Sequence, residues 1–239
     1  MSKVQKSLIA FAGMIFVVGA GILAPSSTQA QVLHKLTTPA GGVAFEVVGQ
    51  VTNFPPAGLG QPPTSLQYGY LSLINGLNGD QVFSTADPTL QNETTAHFTF
   101  FTDAITQRVI SNGRLRIVNR TGTTTIYFVE TPNGDFTNRD SFRSGTPVMT
   151  MAYRQQVILD VGETVVGLPG TGTFTVMNLL SVADVQTFEI DGERYQLAKP
   201  KDQFRQFYSG APPGAIPPIG VFAGYAVAIE PEQIKKLAP

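Results

Sequence analysis

The sequence contains no cysteine and no tryptophan, has only two histidines, and devotes just 14% of its residues to charge. Each scarcity removes a class of chemistry. Without cysteine there is no disulfide, no thiolate nucleophile, no lipid-modified cysteine and no cysteine-ligated zinc or iron–sulfur site. The fold must be held by its core alone, and a chain of 239 residues is long enough to bury one. His34 and His97 lie far apart and form no His-x-x-x-His pair, the helical arrangement that grips zinc. The chain also lacks a G-x-S-x-G elbow, an Asp-x-Asp-x-Asp-Gly calcium loop and a phosphate-binding loop; GLPGTG at 167–172 has no lysine after it. Residues 133–140, NGDFTNRD, alternate oxygen-bearing side chains, but Asn, Asp and Gly are also the ordinary content of a surface loop. Sixteen basic residues against 17 acidic ones leave a formal charge of −1. Nucleic-acid binding leaves a basic footprint that this balance does not contain. No cofactor and no metal are expected.

The chain begins MSKVQKSLIAFAGMIFVVGAGILAPSSTQAQ. Lys3 and Lys6 precede an uncharged apolar run from Leu8 to Leu23, and Thr28-Gln29-Ala30 ends the segment with small residues where a signal peptidase reads. That three-part layout predicts a signal peptide over 1–30, cleaved after Ala30, and a single all-β domain over 31–239. The rival reading is an uncleaved anchor, yet the run falls short of the ~18–20 residues that cross a bilayer, and nothing later in the chain is apolar enough to span. A cysteine-free exported protein suits a bacterial envelope better than a eukaryotic ectodomain. The expected location is therefore secreted or periplasmic.

Past residue 31, β-branched and aromatic residues dominate, and turn signals interrupt them roughly every 8–15 residues, as in a sandwich or barrel. VAFEVVGQVT at 43–52, LQYGYLSLI at 66–74 and VFAGYAVAI at 221–229 read as strands, whereas the prolines of 54–65 and 209–220 lack the donor a central ladder needs. Asn112-Gly113 between two alternating runs predicts a hairpin with Ile110 opposite Leu115 and Arg108 opposite Ile117. Arg120-Thr121-Gly122 then reads as a second turn, leading into TTTIYFVE at 123–130. Val148–Asp160 and residues 171–186 are longer candidates, the latter with a bend or helical turn near 178–183. Asp191-Gly192 predicts another hairpin, with Glu189 opposite Arg194 and Phe188 opposite Tyr195. The expected fold is all-β: a single antiparallel β-sandwich or β-barrel domain with long Pro/Gly-rich loops.

Candidate functional residues are few. In TTAHFTFFTD at 94–103, alternation puts Ala96, Phe98 and Phe100 on one face and His97, Thr99, Phe101 and Asp103 on the other. A catalytic base needs a partner within hydrogen-bond reach, and none is near His97 in sequence. The phenylalanine face is core; the His97 face looks either to solvent or into a pocket. Arg108, Arg114, Arg116 and Arg120 form a run uninterrupted by acidic residues, readable as an anion-binding patch or as edge protection of a strand. His97, Arg114, Arg116, Tyr68 and Tyr70 are the candidate ligand contacts, and no residue is assigned a catalytic role. The leading expectation is a non-catalytic binding or structural module at the cell envelope. The alternatives are a barrel carrying a small apolar ligand and an extracellular hydrolase using dispersed carboxylates. Partners fitting these readings are an anionic glycan, a small apolar ligand or an envelope protein.

Overall fold

The computed structural model describes residues 32–160, 173–211 and 219–230. The expected signal peptide, the stretch 167–172 and the middle of the second proline-rich segment lie outside the described residues. Eleven strands are described: β1 (Leu33–Lys35), β2 (Val43–Phe54), β3 (Thr64–Ile74), β4 (Phe98–Asn112), β5 (Leu115–Phe128), β6 (Thr146–Asp160), β7 (Thr173–Val185), β8 (Phe188–Ile190), β9 (Glu193–Gln196), β10 (Gln203–Ala211) and β11 (Ile219–Ile229). Eight of them close into an antiparallel barrel in the order β2-β3-β4-β5-β6-β7-β10-β11, with β11 returning to β2. Of the two architectures left open by the sequence, the barrel is the one formed. The β8–β9 hairpin is inserted between β7 and β10, and β1 joins it in parallel to make a small satellite sheet.

Period-2 alternation decides which side chains fill the barrel. Along β6, Met149, Met151, Tyr153, Gln155 and Val157 are buried, while Ala152, Arg154, Gln156 and Ile158 are exposed. On β6 the lumen side carries Met149, Met151 and Val157, and the outer side carries Arg154 and Gln156 together with Ile158. No helix among the described residues is long and apolar enough to cross a membrane. Following paired residues sideways from Ile110 through Ile117, Ile158, Thr175, Ser209, Ala223, Val48 and Tyr70 leads back to β4 at Thr99. The stagger is about ten residues once the bulged Gln107 is discounted, which tilts the strands steeply around a lumen narrow enough for side chains to fill.

Glycine makes the tight wall possible where strands approach closely, as at Gly49 and Gly69. Gly49 and Gly69 are cross-strand partners, flanked by Phe222 and Phe100 in the same lateral row. The rings of Phe100 and Phe222 stand 6.3 Å apart, and a Cβ on Gly49 would come within 2.9 Å of both. The two phenylalanines thus roof a strip of bare backbone, burying apolar surface worth roughly 1.5–3 kcal/mol per ring.

Several local expectations are corrected. The β4–β5 turn is centred on Gly113-Arg114, one residue later than Asn112-Gly113, so Ile110 pairs with Ile117 and Arg108 with Asn119. Gly113 has φ +58° while Arg114 is not in the left-handed region, the requirement of a type II′ turn with glycine first. Arg120-Thr121-Gly122 is not a turn: β5 runs unbroken to Phe128. In place of two turns there is one long hairpin. β7 makes no helical turn near 178–183: the buried alternation Phe174, Val176, Asn178, Leu180, Val182 runs through it, and the irregularity is a bulge at Ala183, where Met151 pairs with Val182 and Thr150 with Asp184. The β8–β9 hairpin is as expected, with Phe188 opposite Tyr195 and Glu189 opposite Arg194, and Asp191 and Gly192 both at positive φ, 53° and 80°.

Candidate functional site

The lumen turns polar partway along its length. Gln67 of β3, Tyr153 and Gln155 of β6 and Tyr208 of β10 all face inward and are buried. The Gln67 amide donates to the Tyr153 hydroxyl at 2.6 Å, and the Tyr208 hydroxyl donates back to Gln67 Oε1 at 2.6 Å. Gln155 donates its amide to the Tyr208 hydroxyl. Its Oε1 accepts from Arg120 Nη1 at 2.9 Å, and Arg120 Nη2 reaches Asn53 Oδ1 of β2 at 2.7 Å. Asn178 with Gln206, at 2.6 Å, and Thr102 with Thr124, at 2.8 Å, add two further buried pairs. Amides suit such a place because each both donates and accepts without introducing charge.

Burial sets the ionisation of the phenols. Loss of water pushes Tyr208 up to about 12, the hydrogen bonds it receives pulling it partly back. Tyr153 rises well above its usual value, first through burial and then through the neighbouring Tyr208. Arg120 is lowered by desolvation but a guanidinium stays charged at any physiological pH. The raised phenol values give a stability signature with a definite sign. The unfolded chain releases these protons near 10 and the barrel holds them longer, so the stabilisation is complete below pH 10 and is lost as pH climbs toward 12 and beyond. Denaturant titrations should show stability falling by ~1.4 kcal/mol per pH unit per buried phenol over that window. A flat profile between pH 10 and 12 would mean that these hydroxyls are not sealed from water.

Among the described residues, the void at the centre of the barrel is about 10 Å³, bordered by Phe45, Leu71, Phe100, Met151, Leu180 and Phe222. That is about the least that holds one water, whereas small-molecule pockets run to several hundred Å³. The lumen is a core. Its polar side chains are Thr, Ser, Gln and Asn with the Tyr153 and Tyr208 hydroxyls and Arg120, and no carboxylate is buried among the described residues.

Larger depressions lie on the outer wall. Met177, Phe207 and Tyr225 are lateral neighbours on β7, β10 and β11. Met177 and Tyr225 are each 44% exposed, and the Phe207 and Tyr225 rings are 5.9 Å apart. On one side of this row an open trough of about 600 Å³ is bordered by Glu46, Val48, Ser72, Thr175, Ser209 and Ala223. On the other side a groove of about 270 Å³ is flanked by Arg154 and Arg205, with Gln156, Met177 and Leu179. Both arginines pair laterally with Leu179, one from each side. They are exposed and have no carboxylate partner among the described residues.

The residues singled out in the sequence are spread apart. His97 precedes β4 rather than lying in it, half-buried, with Nδ1 2.9 Å from the Val129 carbonyl and its ring 6.0 Å from that of Phe128. The Thr99 and Phe101 part of the face it was assigned to meets neither solvent nor lumen, while Asp103 at its far end is exposed. A 3-10 turn over Arg139–Arg143 covers it: Thr99 Oγ1 donates to the Phe142 carbonyl at 2.9 Å, and the Arg143 guanidinium sits 4.7 Å over the Phe101 ring. Tyr68 belongs to the same covered cluster with Phe101 and Phe142. Tyr70, 9% exposed, packs on Phe83 and Phe136. Arg114 binds Asp160 through two bonds of 3.2 and 3.0 Å, and Arg116 turns onto the carbonyls of Gly113 and Leu115. Within 133–140, Asp135 is engaged by the Thr137 backbone and hydroxyl, which hold its carboxyl below the usual range, and Asp140 pairs with Arg143 at 2.6 Å.

Arg120 and the outward pair Arg154 and Arg205 were not singled out as sites in their own right. Alternation in β6 gives Arg154 its outward direction, but only closure of the barrel brings Arg205 to the other side of Leu179. Comparison with known protein families, characterised proteins and solved structures finds no match.

Proposed function

We propose that this protein is an exported, non-catalytic binding module of the bacterial envelope, and that it holds an anionic glycan on the outer wall of its barrel. The observation that carries the reading is the pair Arg154 and Arg205, without a carboxylate partner among the described residues and set on either side of Leu179 beside the partly exposed Met177–Phe207–Tyr225 row. Guanidinium groups match carboxylate and sulfate geometry with two parallel bonds. Aromatic faces offer apolar area with a polar edge at low entropic cost, which suits the C–H faces of sugar rings. Glu46, Ser72, Thr175 and Ser209 along the neighbouring trough supply acceptors and hydroxyls for the remaining sugar oxygens. The filled lumen favours this surface over a carrier function, and the lack of a buried carboxylate among the described residues favours it over a hydrolase.

Calorimetric titration of the mature protein with polygalacturonate, and with neutral dextran as control, tests the reading. The acidic polymer should bind with a salt-sensitive affinity, dextran should not, and the polymer should keep its chain length. Replacing both Arg154 and Arg205 by alanine should weaken binding at least tenfold. Equal binding by that double variant, or no binding of any acidic glycan by the wild type, would refute it.

A further inference from the structure

We infer that Arg120 and Ser65 form a binding site for one small monovalent anion, a halide or a carboxylate, inside the barrel on the side nearer the β4–β5 turn. The site is independent of the outer wall. A guanidinium carries five N–H donors, and Arg120 commits one to Gln155 and one to Asn53. Its Nε–H is buried and has no acceptor among the described residues. Ser65 is 0% exposed, and its hydroxyl is likewise buried without a partner.

Strand register brings these two orphaned groups to one place. Asn53, which takes Arg120 Nη2, is the direct lateral neighbour of Ser65. Continuing around the wall, Ser65 pairs with Ala104 and Ala104 with Gly122, two residues from Arg120 on the same inward face. A row of three small residues leaves the long arginine room to cross from β5 to β2. Among the described residues no carboxylate offsets the charge: the nearby groups that perturb Arg120 are the hydroxyls of Tyr153 and Tyr208, and those are committed to Gln67 and Gln155. A largely desolvated cation with amide partners and no counter-ion among the described residues is costly. An anion on the Nε edge, also bonded by the Ser65 hydroxyl, satisfies both orphaned groups and cancels the charge.

Nitrogen-15-labelled protein reports the site directly, because each arginine Nε–H gives its own resonance. Titration with sodium chloride and, separately, with sodium formate should move one arginine signal saturably. The salt that saturates at lower concentration identifies the preferred anion. The signal should vanish in Arg120→Gln, and Ser65→Ala, which keeps the guanidinium, should weaken the response at least threefold. The same salts should raise the unfolding midpoint of the wild type more than that of Ser65→Ala. An Arg120 signal that does not respond to either salt, or that saturates identically in Ser65→Ala, would overturn the assignment.

Discussion

Replacing Gly69 by valine should prevent the barrel from closing. A Cβ at this position would lie 2.1 Å from the Val48 carbonyl oxygen and 2.6 Å from the Gly49 Cα. Both obstacles are backbone of the adjacent strand, so neither can step aside by changing rotamer. Ordinary overpacking of a core costs about 1–3 kcal/mol because side chains adjust. Here β2 and β3 would have to separate, which sacrifices their ladder and the Phe100–Phe222 roof together. The expected loss exceeds ~4 kcal/mol, a large part of the 5–15 kcal/mol that typically holds a domain. Urea unfolding and near-ultraviolet circular dichroism measure it. Gly58→Ala is the matched control, since a Cβ there meets nothing within 4 Å, and it should leave stability unchanged or slightly improved. A Gly69→Val protein with a wild-type unfolding midpoint would show that the strand pair is free to shift.

How far the sequence foretold this molecule depends on the distance over which each feature is determined. The β8–β9 hairpin was legible in full, because Asp191-Gly192 sets its own register over a few residues. The β4–β5 hairpin was located correctly but offset by a residue, since Asn112-Gly113 and Gly113-Arg114 are both acceptable turns and the pairing with β6, Ile117 to Ile158, decides between them. The phenylalanine face of β4 was read correctly as core. What alternation could not reveal was that the opposite face is also covered, by Phe136 and Phe142 from a loop some 40 residues on. The arginines show the same limit. Arg120 looked like one member of an exposed run, but the bulge at Gln107 lets Thr106 pair with Arg120 and Arg108 with Asn119, and Arg120 enters the lumen. Charge is local in sequence, whereas the direction of a charge belongs to the whole ladder.

The interior network makes the second strong prediction, and its sign depends on how many partners are removed. Gln155→Leu takes the acceptor from Arg120 Nη1 and the amide donor from the Tyr208 hydroxyl, leaving a desolvated cation with Asn53 as its remaining acceptor. Stranding one side of a buried charged bond costs about 3–5 kcal/mol, so the variant should unfold at markedly lower urea with an unchanged slope. Arg120→Met alone should cost less, because an apolar stem replaces a cation that was expensive to bury. The double variant should be more stable than the sum of the two singles implies, with a coupling of roughly 1–3 kcal/mol, since once the cation is gone Gln155 no longer has a charge to satisfy. A double-mutant cycle in urea measures this directly. Simple additivity would mean that Arg120 takes its solvation from water at the barrel mouth and not from Gln155. Strong coupling would mean that the cation and the amide–phenol network fold as one unit, with Arg120 anchored across the lumen from β5 to β2.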